Sequence, residues 1–160
     1  MRMETVLISA CLLGVRCRYD GASKPLAEIE ALRQQYHLIP VCPEVFGGLP
    51  TPREPAERQG ERVVTRSGQD VTDAYRRGAE ETLRLAQLFG CRLAILKEKS
   101  PSCGSGERYD GTYSGTLTAG NGVTADLLLQ NGVAVLGESQ IRISDGKIIE
   151  TTGRWTDERI

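Results

Sequence analysis

The sequence predicts an α/β fold: a three-layer, Rossmann-like arrangement with a mostly parallel sheet and a C-terminal β-hairpin. Short apolar runs of strand length alternate with helix-like segments along the chain. The runs are continuously apolar, which is typical of strands covered on both faces. With 160 residues, 39% of them hydrophobic, we expect one domain over residues 1–160, with the charged tail 151–160 assigned to no element.

The N-terminal part predicts two strands separated by a helix. Val6–Ala10 is the first strand, and a polar, glycine-containing loop follows it. Leu26 to Tyr36 has apolar residues at helical spacing, and Leu38–Val41 is the next short strand. The proline-rich segment 42–59 predicts a stiff loop without regular helix.

The middle of the chain predicts the longest helix, between two strands. Glu61–Thr65 is a brief strand, and Asp70 is placed to cap the helix N-terminus. Apolar residues recur at helical spacing from there to Gly90, which ends the helix. Leu93–Leu96 is the next buried strand, followed by a long glycine-rich stretch from Glu98 onward.

The remaining elements are a helix, a strand and a hairpin. Val123–Gln130 is a short helix closed by Asn131-Gly132, and Val133–Leu136 is the fourth buried strand. Residues 141–143 and 147–149 form the predicted hairpin, joined by a tight turn at Asp145-Gly146. Strand–helix alternation of this kind implies right-handed crossovers and a parallel sheet.

Three of the five cysteines lie just past an apolar run, namely Cys11, Cys42 and Cys103. Because the carboxyl ends of parallel strands meet at one edge of a sheet, we expect these thiols to converge there. Three thiolates with no fourth protein ligand indicate a metal centre with one coordination position free for chemistry. The softness of thiolate suits an iron–sulfur cluster or zinc equally.

The other two cysteines and the single histidine carry weaker signals. Cys91, between a helix stop and a strand, is interpreted as a small buried apolar residue. Cys17 is flanked by two arginines, whose positive charge favours the thiolate form. Its role is either that of a fourth metal ligand, a redox-active thiol or a surface cysteine, and we favour the last two. His37, at a helix–strand junction, is interpreted as structural.

Several charged residues near the predicted strand ends are candidates for substrate contacts. Glu44 follows Pro43 two residues after a candidate ligand, so its carboxylate is placed to reach a molecule bound at the centre; a solvated loop glutamate is the alternative. Lys97, Lys99 and Arg53 are interpreted either as groups that orient an anion or as solvated side chains.

The tetrapeptide Arg-Tyr-Asp-Gly occurs twice, at Arg18–Gly21 and Arg108–Gly111. Two Asp-Gly turns are the simpler explanation. The alternative is that both tyrosines line one pocket.

Composition excludes several classes of function. The formal net charge is −1, so nothing in the overall balance favours nucleic acid or an anionic membrane surface as a partner. Neither a Walker phosphate loop nor a Gly-x-Gly-x-x-Gly after the first strand is present. The N-terminal apolar run is too short for a signal peptide or membrane span, so we expect a cytoplasmic protein in which five cysteines are not a disulfide framework.

Three motifs in the same order resemble the DUF523 family, some of whose members are thiouracil desulfidases, and the resemblance spans residues 5–150. The motifs are Ser9-Ala10-Cys11-Leu12-Leu13-Gly14 with Cys17-Arg18-Tyr19-Asp20-Gly21, Val41-Cys42-Pro43-Glu44 with residues 47–53, and Lys99-Ser100-Pro101-Ser102-Cys103-Gly104 with Tyr109-Asp110-Gly111.

The resemblance implies a [4Fe-4S] cluster held by Cys11, Cys42 and Cys103, with the fourth iron open. It further implies that the sulfur of a small thiolated pyrimidine such as 2-thiouracil binds that iron. Glu44 then helps water attack the carbon, Ser100 makes a second polar contact, and sulfide remains on the cluster before release, without net redox change.

The competing hypothesis is a non-catalytic cysteine–metal protein, a cluster- or zinc-dependent sensor or a sulfur carrier. Both hypotheses leave the oligomeric state open.

Overall fold

The structure is a computed structural model that describes residues 3–144 and 147–150. The strands are β1 (Glu4–Ser9), β2 (Tyr36–Val41), β3 (Ala56–Gln59), β4 (Arg62–Thr65), β5 (Leu93–Leu96), β6 (Glu107–Tyr109), β7 (Leu117–Ala119), β8 (Ala134–Gly137), β9 (Ile141–Ser144) and β10 (Lys147–Glu150). The α-helices are α1 (Ile29–Gln35), α2 (Pro43–Phe46), α3 (Thr72–Leu88) and α4 (Val123–Gln130).

The central sheet is parallel and has the strand order β2-β1-β5-β8. Its members are the four strands that the apolar runs predict, so the predicted parallel sheet is confirmed. The chain leaves β1 toward β2 on one side and returns to β5 on the other side. Such a reversal of direction opens a crevice at the carboxyl ends of the neighbouring strands.

Side chains alternate between two apolar clusters, one on each face of the sheet. Val6 and Ile8 of β1 pack in the cluster that contains Leu32 of α1. Leu7 lies between them in sequence but packs with Leu128 of α4 and with residues of α3 on the opposite face. Because helices cover both faces, the predicted three-layer arrangement is confirmed.

The expectation that the proline-rich segment excludes helix is wrong. Pro43 begins the single helical turn α2 at a first-turn position, where proline needs no hydrogen-bond donor and its fixed φ suits the helix. The same segment supplies β3, which pairs in antiparallel fashion with β4. Local composition did not predict these elements, because contacts with neighbouring elements stabilise both of them.

The boundaries of the other helices differ slightly from expectation. Helix α1 begins at Ile29, later than predicted. Helix α3 begins at Thr72, and Asp70 lies one residue before the N-cap position. Its carboxylate nevertheless accepts the Thr72 N–H at 2.9 Å, and hydrogen bonds from Thr72 and Arg62 lower the pKa of Asp70 to about 2. The glycine-rich stretch contains the short hairpin β6–β7, which the sequence analysis missed.

The C-terminal hairpin is present as the antiparallel pair β9–β10. Its predicted Asp145-Gly146 turn and the tail 151–160 lie outside the described residues. In the part of the chain that the structure describes, no helix has the length and apolar character needed to cross a membrane.

Candidate metal centre

Three cysteines follow the carboxyl ends of three neighbouring strands and line one cavity of about 330 Å³. Cys11 lies in a 3-10 turn directly after β1, and Cys42 lies between β2 and α2. Cys103 lies in the loop after β5. The sheet topology therefore brings together side chains that are far apart in the sequence.

The Cys103 loop is organised by Ser100. Its hydroxyl oxygen accepts the backbone N–H groups of Ser102 and Cys103, both at 3.0 Å. The backbone N–H of Gly104 donates to the Ser100 carbonyl oxygen at 3.0 Å. A Cβ at Gly104 would lie 2.7 Å from that carbonyl oxygen, so this tight turn requires glycine. Ser100 thus lies beside Cys103 and lines the same cavity.

The position of Cys42 depends on a close approach between α2 and α3. A Cβ built on Gly78 of α3 would lie 1.8 Å from the carbonyl oxygen of Pro43, and one on Gly47 would lie 1.9 Å from that of Ala74. Two glycines therefore let the two helix backbones touch. This contact fixes Cys42 and Glu44, the residues on either side of Pro43.

Glu44 is held by a nearly buried ion pair. Arg53 Nε donates to Glu44 Oε2 at 2.7 Å, and the two side chains are 7% and 14% exposed respectively. Arg53 also donates to the carbonyl oxygens of Cys17 and Pro50, at 2.9 and 3.1 Å. Burial alone would lower the pKa of Arg53, yet the charge of Glu44 and its hydrogen bond raise it above its ordinary value. The arginine therefore belongs to the site rather than to solvent.

Tyr75 is a second partner of Glu44, and the sequence analysis missed it. Tyr75 is 3% exposed and lines the cavity together with Glu44. Burial, followed by the negative charge of Glu44, raises the pKa of Tyr75. The helical periodicity of α3 identifies Tyr75 only as a core-facing residue and gives no sign that its hydroxyl reaches the cavity.

Two of the candidate ligands, Cys42 and Cys103, lie in surroundings that disfavour the thiolate form. Burial, reinforced by the charge of Glu44, raises the pKa of Cys103 to about 12. The pKa of Cys42 is also raised, first by a hydrogen bond with Cys17 and then by burial. A bound metal would supply the positive charge that deprotonated thiols need here.

The interpretation of Cys17 as a surface cysteine is wrong. Cys17 is 8% exposed, lines the cavity and packs with Cys11 in one apolar cluster. Its carbonyl oxygen accepts a hydrogen bond from the Cys42 thiol at 3.8 Å. Cys91 is buried in an apolar cluster, as expected. His37 is an exposed residue of β2 and does not line the cavity.

Both Arg-Tyr-Asp-Gly segments form Asp-Gly turns, and both contribute a tyrosine to the cavity. Asp20 and Asp110 each accept the backbone N–H two residues ahead at 3.0 Å. Tyr19 and Tyr109 line the same cavity. The two explanations of this repeat are therefore both correct.

Other polar residues complete the walls of the cavity. Lys97 lines it and pairs with Glu138 at 2.6 Å. Lys99 and Tyr113 also line it, and they are non-glycine residues at positive φ, 69° and 59°. Backbone strain of this kind is concentrated at functional sites.

The donor set fits an iron–sulfur cluster. Among the described residues, no three Cys, His, Asp or Glu side chains are arranged to share one metal ion. Because each cysteine of a cluster binds a different iron, cluster ligands do not have to meet at one point. Three thiols around one cavity, two of them buried and that of Cys42 partly buried, with no histidine in the lining, match the all-cysteine ligation of such clusters.

A family model described as 2-thiouracil desulfurase matches residues 6–140. The chain belongs to this family. The matched span includes every residue that lines the cavity, so the whole candidate site lies in the part of the chain that the family model covers. The resemblance to the DUF523 family is confirmed.

Two known proteins are similar to this chain in sequence. A solved structure of the [4Fe-4S]-dependent thiouracil desulfidase TudS (DUF523Vcz) is 52% identical, with a TM-score of 0.81, over 86% of this chain and 92% of that one. Protein YbbK of Bacillus subtilis (strain 168) is 44% identical over 146 residues, which are 85% of this chain and 97% of YbbK. The match to TudS also confirms the predicted fold.

Proposed function

We propose that this protein is a [4Fe-4S]-dependent desulfidase that removes sulfur from a small thiolated pyrimidine such as 2-thiouracil. The observation that carries the proposal is the cavity itself, which three cysteine thiols line beside a carboxylate held by Arg53. Family membership and 52% identity to a [4Fe-4S]-dependent thiouracil desulfidase support the same conclusion.

Cys11, Cys42 and Cys103 are the proposed cluster ligands. Their number leaves one iron without a protein ligand, and when bound the cluster supplies this iron as a Lewis acid for the thiocarbonyl sulfur. The loop geometry supports the assignment, because each thiol is fixed at a strand end by turns that the surrounding backbone stabilises.

Glu44 is the proposed general base. It accepts a proton from the water that attacks the thiocarbonyl carbon, while Arg53 and Tyr75 hold the carboxylate in place. The C–S bond is replaced by a C–O bond, so thiouracil and water give uracil and hydrogen sulfide without any electron transfer. Confinement of the carboxylate lowers the cost of reaching the reactive geometry.

Ser100 is proposed to position Cys103 and to contact the substrate. Its oxygen already accepts two backbone N–H groups, which leaves the hydroxyl hydrogen available to donate to a polar atom of the pyrimidine. Tyr19 and Tyr109 supply apolar ring surface in the same cavity. A reducing cytoplasm would preserve the thiols and the cluster.

The test is anaerobic reconstitution with ferrous iron and sulfide, followed by incubation with 2-thiouracil. We expect a visible iron–sulfur absorption spectrum and equimolar release of sulfide and uracil. Zinc-loaded protein is the matched control and should release neither product. A fully loaded protein that binds 2-thiouracil without releasing sulfide would contradict the enzyme and favour a sensor or sulfur carrier.

A further inference from the structure

The cavity holds a fourth thiol that the proposed chemistry does not use. Cys17 is 8% exposed and lines the cavity together with the three proposed ligands. Cys17 and Cys11 pack in the same apolar cluster, and Cys42 packs against that cluster. Packing in the apolar cluster that contains Leu32 accounts for the burial of Cys17, but it does not account for a fourth thiol among the residues that line the cavity.

Backbone hydrogen bonds hold Cys17 at one position in the wall of the cavity. The Cys17 carbonyl oxygen accepts a hydrogen bond from Arg53 Nη2 at 2.9 Å and one from Cys42 Sγ at 3.8 Å. The Cys17 N–H donates to the Val15 carbonyl oxygen at 2.9 Å. Three contacts therefore hold Cys17 beside the two candidate ligands.

Cys103 lies in different surroundings. Cys103 belongs to a different apolar cluster from Cys11 and Cys17, and its loop is held by Ser100. The four thiols thus form a group of three, Cys11, Cys17 and Cys42, and a separately held Cys103. A substitute ligand for Cys11 or Cys42 is therefore already in place, whereas the thiol that acts on the pKa of Cys103 is that of Cys42, itself a proposed ligand.

We propose that Cys17 is a reserve ligand of the cluster, able to bind the iron that Cys11 or Cys42 leaves. The inference rests on the proposed function, since it requires the cluster. The exchange is balanced: the departing thiolate takes up a proton from solvent, and the Cys17 thiol loses one as its sulfur binds iron. No electron is transferred.

A reserve ligand matters at a site with an open iron. Substrate sulfur and released sulfide enter the same cavity as the ligands, so they compete with the protein for iron. A neighbouring thiol that recaptures an iron after loss of one cysteine ligand keeps the cluster in the protein. Cys17 would then act in retention of the cofactor and not in the chemical step.

The test compares single and double variants after reduction and anaerobic reconstitution with ferrous iron and sulfide. Iron and acid-labile sulfide per chain are measured together with the electron paramagnetic resonance spectrum of the reduced protein. Cys11→Ala and Cys42→Ala should each keep at least half of the wild-type cluster, with an altered spectrum. Cys11→Ala/Cys17→Ala and Cys42→Ala/Cys17→Ala should keep less than a tenth.

Three further variants complete the comparison. Cys103→Ala should lose the cluster even though Cys17 is intact, and Cys91→Ala should be fully loaded because this thiol lies outside the cavity lining. If Cys17→Ala perturbs the fold by circular dichroism, Cys17→Val replaces it, since valine fills the space without offering a ligand.

The two proposals fail in different ways. Cluster contents of Cys11→Ala and Cys42→Ala as low as those of the double variants would overturn the reserve-ligand role while leaving the enzyme proposal intact. Wild-type protein that takes up no cluster would overturn both.

Discussion

Arg53 Nε lies 2.7 Å from Glu44 Oε2, in an ion pair with side chains only 7% and 14% exposed. The arginine also donates to the carbonyl oxygens of Pro50 and Cys17 and to the hydroxyl of Thr51. One guanidinium therefore links the proposed base to the loop that carries the fourth thiol. Because a guanidinium carries several N–H donors in one plane, a single arginine side chain can join three segments.

We expect Arg53→Met to destabilise the protein by about 3–5 kcal/mol, because it leaves the Glu44 carboxylate nearly buried without its partner. Urea denaturation measures the change. The double variant Glu44→Gln/Arg53→Met should be less destabilised than Arg53→Met, since a neutral amide needs no counter-charge. This comparison separates the cost of an unpaired charge from lost packing.

The control is the exposed pair of Arg33 and Glu30, whose side chains are 64% and 77% exposed. Arg33→Ala should change stability by less than about 1 kcal/mol. Equal effects of Arg53→Met and Arg33→Ala would contradict the structural role of the buried pair.

Glu44→Gln tests the proposed base directly. The amide keeps the shape of the side chain but cannot take a proton from water, and general base catalysis contributes about 10²–10⁴-fold. We expect cluster content to be unchanged and sulfide release from 2-thiouracil to fall by a factor in that range. Rates are compared at equal iron content per chain.

Glu54 provides a matched carboxylate in the same cavity, where it accepts a hydrogen bond from Ser67 Oγ at 2.8 Å. Glu54→Gln should retain most turnover. A loss in Glu54→Gln together with normal rates in Glu44→Gln would assign the base to Glu54.

The placement of the three candidate ligands could be predicted because it depends on regular features. Continuous apolar runs indicated buried parallel strands, and a parallel sheet puts the residues after its strands at one edge. Cys11 and Cys42 follow their strands almost directly. Cys103 lies further along its loop, yet the turn organised by Ser100 brings it to the same cavity.

The partners of these residues could not be predicted in the same way. The contacts of Arg53 and Tyr75 with Glu44 depend on where a single helical turn docks on α3, which no periodicity specifies. Cys17 was misplaced because its flanking arginines resemble an exposed segment. Its burial results from packing between the loops after β1 and β2, held by Arg53.

Ser100→Ala should lower cluster retention as well as turnover. Alanine removes the oxygen that accepts the Ser102 and Cys103 N–H groups, and an unsatisfied buried donor costs about 1–3 kcal/mol. We expect faster loss of iron to an added chelator, measured anaerobically from the visible absorption of the cluster. Ser100→Thr keeps a hydroxyl and should largely restore retention.

A Ser100→Ala protein that loses iron at the wild-type rate and shows only a raised KM would limit Ser100 to substrate binding. The chelator measurement distinguishes the two roles because it involves no substrate.

For Gly78→Ala, helix propensity predicts a gain in stability, whereas steric fit predicts a loss. Alanine in the middle of a helix is favoured over glycine by about 1 kcal/mol. At this position, however, a Cβ would lie 1.8 Å from the Pro43 carbonyl oxygen and 2.6 Å from its carbonyl carbon. Both elements are in contact through their backbones, which cannot move apart without a loss of stability. Overpacking of this kind typically lowers stability by about 1–3 kcal/mol or more. We therefore expect a lower urea midpoint and, because Pro43 separates Cys42 from Glu44, reduced iron content and turnover.

Glu80→Ala, at an exposed position of the same helix, should leave all three measurements near wild type. A Gly78→Ala protein with raised stability and full iron content would show that α2 can move away from α3 without loss, and that the glycine contact does not position the site.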